Sequence, residues 1–260
     1  RDIGEGGFMM ERDGVRIVRN TRPERLAEEV EMSLRRLQTD YIDIYIVHWQ
    51  ELPEFPCPID ETMACLTKLK EQGKIRAIGA SNLSDDQFMQ YVQAGQLDLI
   101  QEKFSMLDRA AADRMLGMCD RHGVTFQAYS PLERGVLTGK YLPGQPVPEG
   151  SRATDEKGGK RTISRFLEDA ILERVQKLKP IASDLGLSMA QLAVAWVLAN
   201  DNVACAIVGA SRPEQVTANA AASGVELSAD VLQAIDDALG DVVVSDPGYT
   251  AQGMPKHRLS

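Results

Sequence analysis

Cysteine, histidine and long apolar runs are all scarce in this sequence, and each scarcity removes a class of function. The four cysteines, Cys57, Cys65, Cys119 and Cys205, show no C-x-x-C spacing and no adjacent histidine. That pattern offers neither a disulfide framework nor a zinc site, and it suits a cytoplasmic chain with reduced, buried thiols. Only 3 histidines are present, without ligand spacing, so no metal is expected. No apolar run approaches the ~20 residues that a membrane span needs. No signal-peptide pattern is visible, and the chain starts at Arg1 without a methionine. A net charge of −9 argues against nucleic-acid or anionic-membrane partners, while leaving room for a local basic pocket. Finally, no Gly-x-Gly-x-x-Gly follows any strand candidate, which counts against a Rossmann domain.

What is present is an ordinary globular composition, 43% hydrophobic and 26% charged over 260 residues, enough to bury a sizeable core. The stretch Tyr41-Ile42-Asp43-Ile44-Tyr45-Ile46-Val47-His48-Trp49 reads as a strand buried on both faces that delivers His48 to its C-terminal end. Residues 1–19, Gly-rich and aperiodic, read as a loop. A helix is expected from Thr21, whose Thr21-Arg22-Pro23-Glu24 has the capping-box pattern. Further helices are expected near 59–72, from the Ser84 cap, at 110–121, at 164–185 with a break at Pro180, at 188–199, at 213–222 and at 229–239. Strands are expected near 75–81, 97–101, 124–129 and 204–208, and every one looks buried.

Strands alternating with amphipathic helices specify an α/β fold with a parallel sheet, either doubly wound or a (β/α)8 barrel. Barrel sites collect at the C-terminal strand ends. Those ends here carry His48, Ser81-Asn82, Gln101, Tyr129-Ser130 and Gly209-Ala210-Ser211-Arg212, and polar groups or turn glycines at all of them favour the barrel.

Four segments then resemble the signatures of the aldo-keto reductases, in the family's order. They are Asp43-Ile44-Tyr45-Ile46-Val47-His48, Gly73-Lys74-Ile75-Arg76-Ala77-Ile78-Gly79-Ala80-Ser81-Asn82, Tyr129-Ser130-Pro131-Leu132 and Gly209-Ala210-Ser211-Arg212-Pro213-Glu214-Gln215. The branch resembled is that of the bacterial methylglyoxal-type reductases and potassium-channel β subunits. The resemblance implies a single TIM-barrel domain with barrel units over residues 20–240 and a tail over 241–260. About five of its eight strands are found here, and the first three are expected upstream.

It also implies an oxidoreductase that reduces aldehydes or ketones with hydride from NADPH. The family uses an aspartate, a tyrosine acid, a lysine and a histidine. Only the histidine has a match, His48, so the 260 residues alone are expected to be inactive. Ser81, Asn82 and Gln101 would hold the nicotinamide carboxamide, and Tyr129 would stack on its ring. Ser130, Pro131, Leu132, Glu133 and Arg134, with Lys140 and Arg152, would lie along the pyrophosphate. Gly209, Ser211, Arg212, Gln215 and Asn219 would hold the adenosine side, with Ser211 and Arg212 on a 2′-phosphate. One departure is Ala218, where the family usually has a glutamate on the adenine amino group.

Each residue also has a plainer reading: His48 as a structural strand-end histidine, Tyr129 as a core aromatic, residues 130–140 as a solvated loop, Ser211 as a helix cap. A non-catalytic NADPH-binding regulatory subunit of the same fold and an unrelated TIM-barrel enzyme are the alternatives. Specificity would depend on residues 51–58, the turn at 105–109 and the tail, with Trp49, Phe55 and Met106 either lining a pocket or packing.

Overall fold

The computed structural model describes residues 7–12, 15–50, 56–156 and 159–245. Its elements run β1 (Gly7–Arg12), β2 (Val15–Arg19), α1 (Pro23–Leu37), β3 (Ile42–Val47), α2 (Ile59–Glu71), β4 (Ile75–Ser81), α3 (Asp85–Ala94), β5 (Leu99–Lys103), α4 (Ala110–His122) and β6 (Thr125–Tyr129). After 3-10 turns at Glu133–Thr138 and Arg152–Thr154 come α5 (Gly159–Ile163), a third turn at Ser164–Phe166, α6 (Asp169–Gln176), α7 (Leu178–Asp184) and α8 (Met189–Leu198). The series ends with β7 (Val203–Ile207), α9 (Pro213–Ala220), α10 (Ala229–Leu239) and a turn at Gly240–Val242. β3, β4 and β5 are parallel to one another, as are β6 and β7, and all five alternate with helices along the chain, as the α/β pattern requires.

The chain divides into two compact units. The first holds Arg1–Glu102, Gly117–Thr125 and Ala251–Ser260, and the second Lys103–Leu116 and Phe126–Thr250. In the first unit β3 pairs with β4 from Ile42↔Ile75 to Val47↔Ala80, and β4 with β5 from Gly79↔Leu99 to Ser81↔Gln101. Met63, Leu66, Ile78, Phe88, Tyr91 and Ile100 make its core, each at most 1% exposed. In the second unit β6 pairs with β7 from Phe126↔Val203 to Tyr129↔Ile207, around a core of Phe126, Leu137, Phe166, Leu192 and Val197.

Several expectations need correction. Residues 7–12 and 15–19 are not loop but an antiparallel hairpin, β1–β2. Thr21 does not cap α1: Arg22 stands at the N-cap with Pro23 behind it, and the Arg22 N–H donates to Asn20 Oδ1 at 3.0 Å. The break in the 164–185 stretch falls at Lys177, and Pro180 sits in the first turn of α7, where the N–H it lacks has no helical partner to lose. β5 extends two residues past Gln101, because buried Glu102 and Lys103 find partners inside the protein. Nor is every strand buried. In β3 Asp43 and Ile44 are exposed, as are Ala204 and Ile207 in β7. The expected boxes at Ser84 and Ser188 are formed, each serine Oγ accepting from the N3 N–H of Gln87 or Gln191. The tail beyond residue 245 and residues 51–55, Phe55 among them, lie outside the described residues.

Strand spacing in the first unit depends on one glycine. A Cβ on Gly79 would lie 2.9 Å from Ile46 Cγ1 and 3.1 Å from Leu99 Cδ1, its partners on β3 and β5. Gly79→Val should therefore cost about 1–3 kcal/mol through overpacking. Urea denaturation will check this, and an unchanged midpoint would mean that the strands can part freely.

Candidate active site

Three strand ends of the first unit are tied together by side chains. Asn82 follows β4 in the left-handed conformation (φ 60°), which asparagine tolerates better than most residues. Its Nδ2 donates to the His48 carbonyl at 2.8 Å and to Ser81 Oγ at 3.1 Å. Ser81 Oγ in turn donates to the Gln101 carbonyl at 2.6 Å. His48, Ser81, Asn82 and Gln101 are thus brought together, with Ser81 and Asn82 buried and His48 exposed. Behind them the Leu83 N–H donates to buried Glu102 at 2.7 Å, and the Tyr91 hydroxyl donates to Gln50 Oε1 at 2.7 Å. Rigid surroundings of this kind fix a functional side chain better than a free loop can.

Arg19, at the end of β2, was missed because its stretch reads as loop. Its guanidinium carbon lies 4.5 Å from the Trp49 ring centroid, within cation–π range. Partial burial of the imidazole, and second the Arg19 charge, lower the pKa of His48 below its ordinary 6.5. The lowered pKa favours the neutral imidazole, which has one N–H available to donate.

In the second unit, β6 ends at Tyr129 and the chain enters a run of left-handed residues: Ser130 (φ 59°), Glu133 (41°), Arg134 (57°) and Gly135 (97°). Only glycine takes that conformation without strain. The run is held from beneath. Glu133 is fully buried, with Oε1 2.8 Å from Lys103 Nζ, and Ser105 Oγ donates to Oε2 at 2.8 Å. Its carboxylate is committed to the interior. Arg134 NH1 donates to the Thr162 carbonyl. Burial first, and the neighbouring charges of Arg165 and Arg152, lower its pKa, against Glu133 and Tyr129. Arg134 thus feels the charges of Arg165 and Arg152, and Arg165 is a residue that sequence reasoning missed. Lys140 Nζ lies 3.2 Å from where a Cβ of Gly135 would stand. Pro131 is buried and Leu132 half-buried at the loop's start. The turn at 105–109 is likewise largely buried, and Met106, fully buried, packs.

The third group follows β7. Gln215 Oε1 accepts from the Ser211 N–H at 2.7 Å, Ser211 Oγ at 3.2 Å and the Arg212 N–H at 3.2 Å. Ser211, a helix cap in its plainer reading, is not the N-cap of α9: Arg212 takes that position and Gln215 caps the turn. Gly209, Ser211 and Arg212 are exposed. Beside them a cavity of about 320 Å³ is lined by Cys205, Val208, Ala210, Val216, Asn219 and Ser223, among others. No group of three or more His, Cys, Asp or Glu side chains among the described residues is arranged to hold a metal.

Strand-end polar groups over a parallel α/β frame are the arrangement of a (β/α)-barrel enzyme site. Residues 14–239 match the model of the Aldo/keto reductase family. This chain belongs to the aldo/keto reductase family. It is 42% identical over 212 residues to the NADH-specific methylglyoxal reductase of Escherichia coli, covering 82% of this chain and 63% of that protein. It is 36% identical over 201 residues to a probable voltage-gated potassium channel β subunit of Arabidopsis thaliana, covering 75% and 60%. The chain thus spans a little under two thirds of the length of these relatives. Among solved structures, glycerol dehydrogenase of Gluconobacter oxydans superimposes with a TM-score of 0.76 at 32% identity, over 92% of this chain and 71% of that one.

The His48 titration is a direct check. Its NMR midpoint should lie below 6.5, and Arg19→Gln should raise it only part of the way, since burial is the larger cause. Because the folded pKa is the lower one, the stability His48 contributes is complete above its unfolded pKa. That contribution is lost as pH falls through the folded value. A midpoint unmoved by Arg19→Gln would remove Arg19 from the site.

Proposed function

We propose that this chain binds a nicotinamide adenine dinucleotide and serves the reduction of aldehydes or ketones to alcohols. The observation that carries the proposal is His48, presented at a strand end and fastened by Asn82 to Ser81 and Gln101. When bound, such a cofactor would supply hydride for a carbonyl carbon, a reaction that places negative charge on the carbonyl oxygen. A neutral imidazole donating its N–H stabilises that charge and orients the carbonyl while keeping its proton. Ser81, Asn82 and Gln101 offer amide and hydroxyl groups suited to a carboxamide, and Tyr129 a ring face for stacking. Arg134, Arg152 and Arg165 suit a diphosphate. The cavity beside α9, apolar apart from Asn219 and Ser223, suits a nucleoside.

Two described tyrosines of the first unit, Tyr45 and Tyr91, are ill suited to be the proton donor. Burial pushes the Tyr45 hydroxyl up to about 12 and raises that of Tyr91, which is already committed to Gln50. That observation keeps the second possibility, a cofactor-binding regulatory subunit, in play. In a protein that carries this chain together with the aspartate, tyrosine and lysine expected upstream, oxidation of bound reduced cofactor on adding methylglyoxal, abolished by His48→Ala while binding persists, supports the reductase. Binding without oxidation by any small carbonyl supports the subunit.

NADPH is the cofactor that Ser211 and Arg212 suggest. However, Ser211 already spends its N–H and hydroxyl on Gln215, which leaves the Arg212 guanidinium to face a 2′-phosphate. With Ala218 in place of a glutamate, and a relative named NADH-specific, NADH is the competing cofactor. Tryptophan fluorescence should show saturable quenching by at least one of the two. Tyr129→Ala should weaken it roughly 2- to 12-fold, the worth of one stacking contact. If NADPH is the cofactor, Arg212→Ala should weaken it roughly 10- to 150-fold and leave NADH unchanged. Absence of quenching by either would overturn the proposal.

A further inference from the structure

Lys103 and its partners form a buried ionic cluster that the site described so far does not use. Its side chain is 4% exposed, with Nζ 2.8 Å from Asp108 Oδ2 and 2.8 Å from Glu133 Oε1. Asp108 Oδ2 also lies 2.6 Å from Arg165 NH2. Ser105 Oγ donates to Glu133 and accepts from the Asp108 N–H at 3.0 Å. Two cations and two anions therefore close on one another, in a place where an unpaired charge could not be buried.

Both ends of this cluster lead to the cationic group. Through Glu133, Lys103 holds the strained left-handed run, and the next residue in that run is Arg134. Through Asp108, it fixes the guanidinium of Arg165, whose carbon also stacks 4.4 Å from the Phe166 ring centroid. Removing Lys103 would leave two buried carboxylates short of a partner and free the run to relax.

We propose that Lys103 is a positioning residue for the cofactor diphosphate, bracing Arg134 through Glu133 and Arg165 through Asp108. This rests on the assignment of that cationic group to the diphosphate, and goes beyond it by naming what sets its geometry. Lys103 touches no phosphate itself. A purely structural role would lower stability and weaken all ligands alike, whereas a brace weakens those with a diphosphate.

ADP and adenosine are the probes, titrated against the whole chain with melting temperature followed in parallel. The double variant Lys103→Met/Glu133→Gln removes both charges of one pair together. It should weaken ADP about tenfold or more, the worth of one charged hydrogen bond, and leave adenosine nearly unchanged. Should that variant fail to fold, Glu133→Gln alone decides, since it keeps the Ser105 bond and the Lys103–Asp108 pair while loosening the run. A lower melting temperature with an unchanged ratio of ADP to adenosine affinity would overturn the brace. If the unaltered chain binds neither ADP nor a nicotinamide dinucleotide, the cofactor assignment itself falls, and the brace with it.

Discussion

A buried ammonium group is tolerated only where anions surround it, and that constraint shapes the second unit. Lys103 ends β5 at 4% exposure and meets Asp108 and Glu133. Without them its desolvation would cost several kcal/mol. With them, the turn after β5 and the loop after β6 are fastened to one point. The loop can then hold Ser130, Glu133 and Arg134 in a conformation that costs each about 1–3 kcal/mol. Strain of that size at three side-chain-bearing residues needs such an anchor.

The first unit reaches a similar end with neutral groups. Asn82, itself in the left-handed region, is held by the bonds that it donates to His48 and Ser81. Strand ends that would otherwise fray are joined, and the imidazole is presented on a fixed frame. Chemically the two units differ in what they offer: neutral polar groups at the strand ends in the first, cations and a helix N-terminus in the second.

Features local in sequence were legible. The serines at 84 and 188, each three residues before a glutamine, announced helices that begin where expected. The strand pattern before His48 and the polar strand ends pointed to His48, Ser81, Asn82 and Gln101, which the fold brings together. What was not legible depends on partners far along the chain. Lys103, Asp108 and Arg165 each look like an ordinary surface charge, and Glu133 like part of a phosphate loop, until folding brings them within 3 Å. Gln101, Glu102 and Lys103 read as the end of a strand because three polar residues rarely share a buried one. The hairpin of residues 7–19 did carry a signal, Asp13-Gly14 between two runs of β-forming residues, obscured by charge. Ile44 and Ile207 looked buried because periodicity reports apolar character and not neighbours.

The central claim is that a nicotinamide dinucleotide belongs to these residues. A crystal structure of the chain with NADH or NADPH tests it most directly. The diphosphate should lie against Arg134 and Arg165, and the adenosine beside α9. A dinucleotide bound elsewhere, with that cationic group facing only solvent, would contradict it.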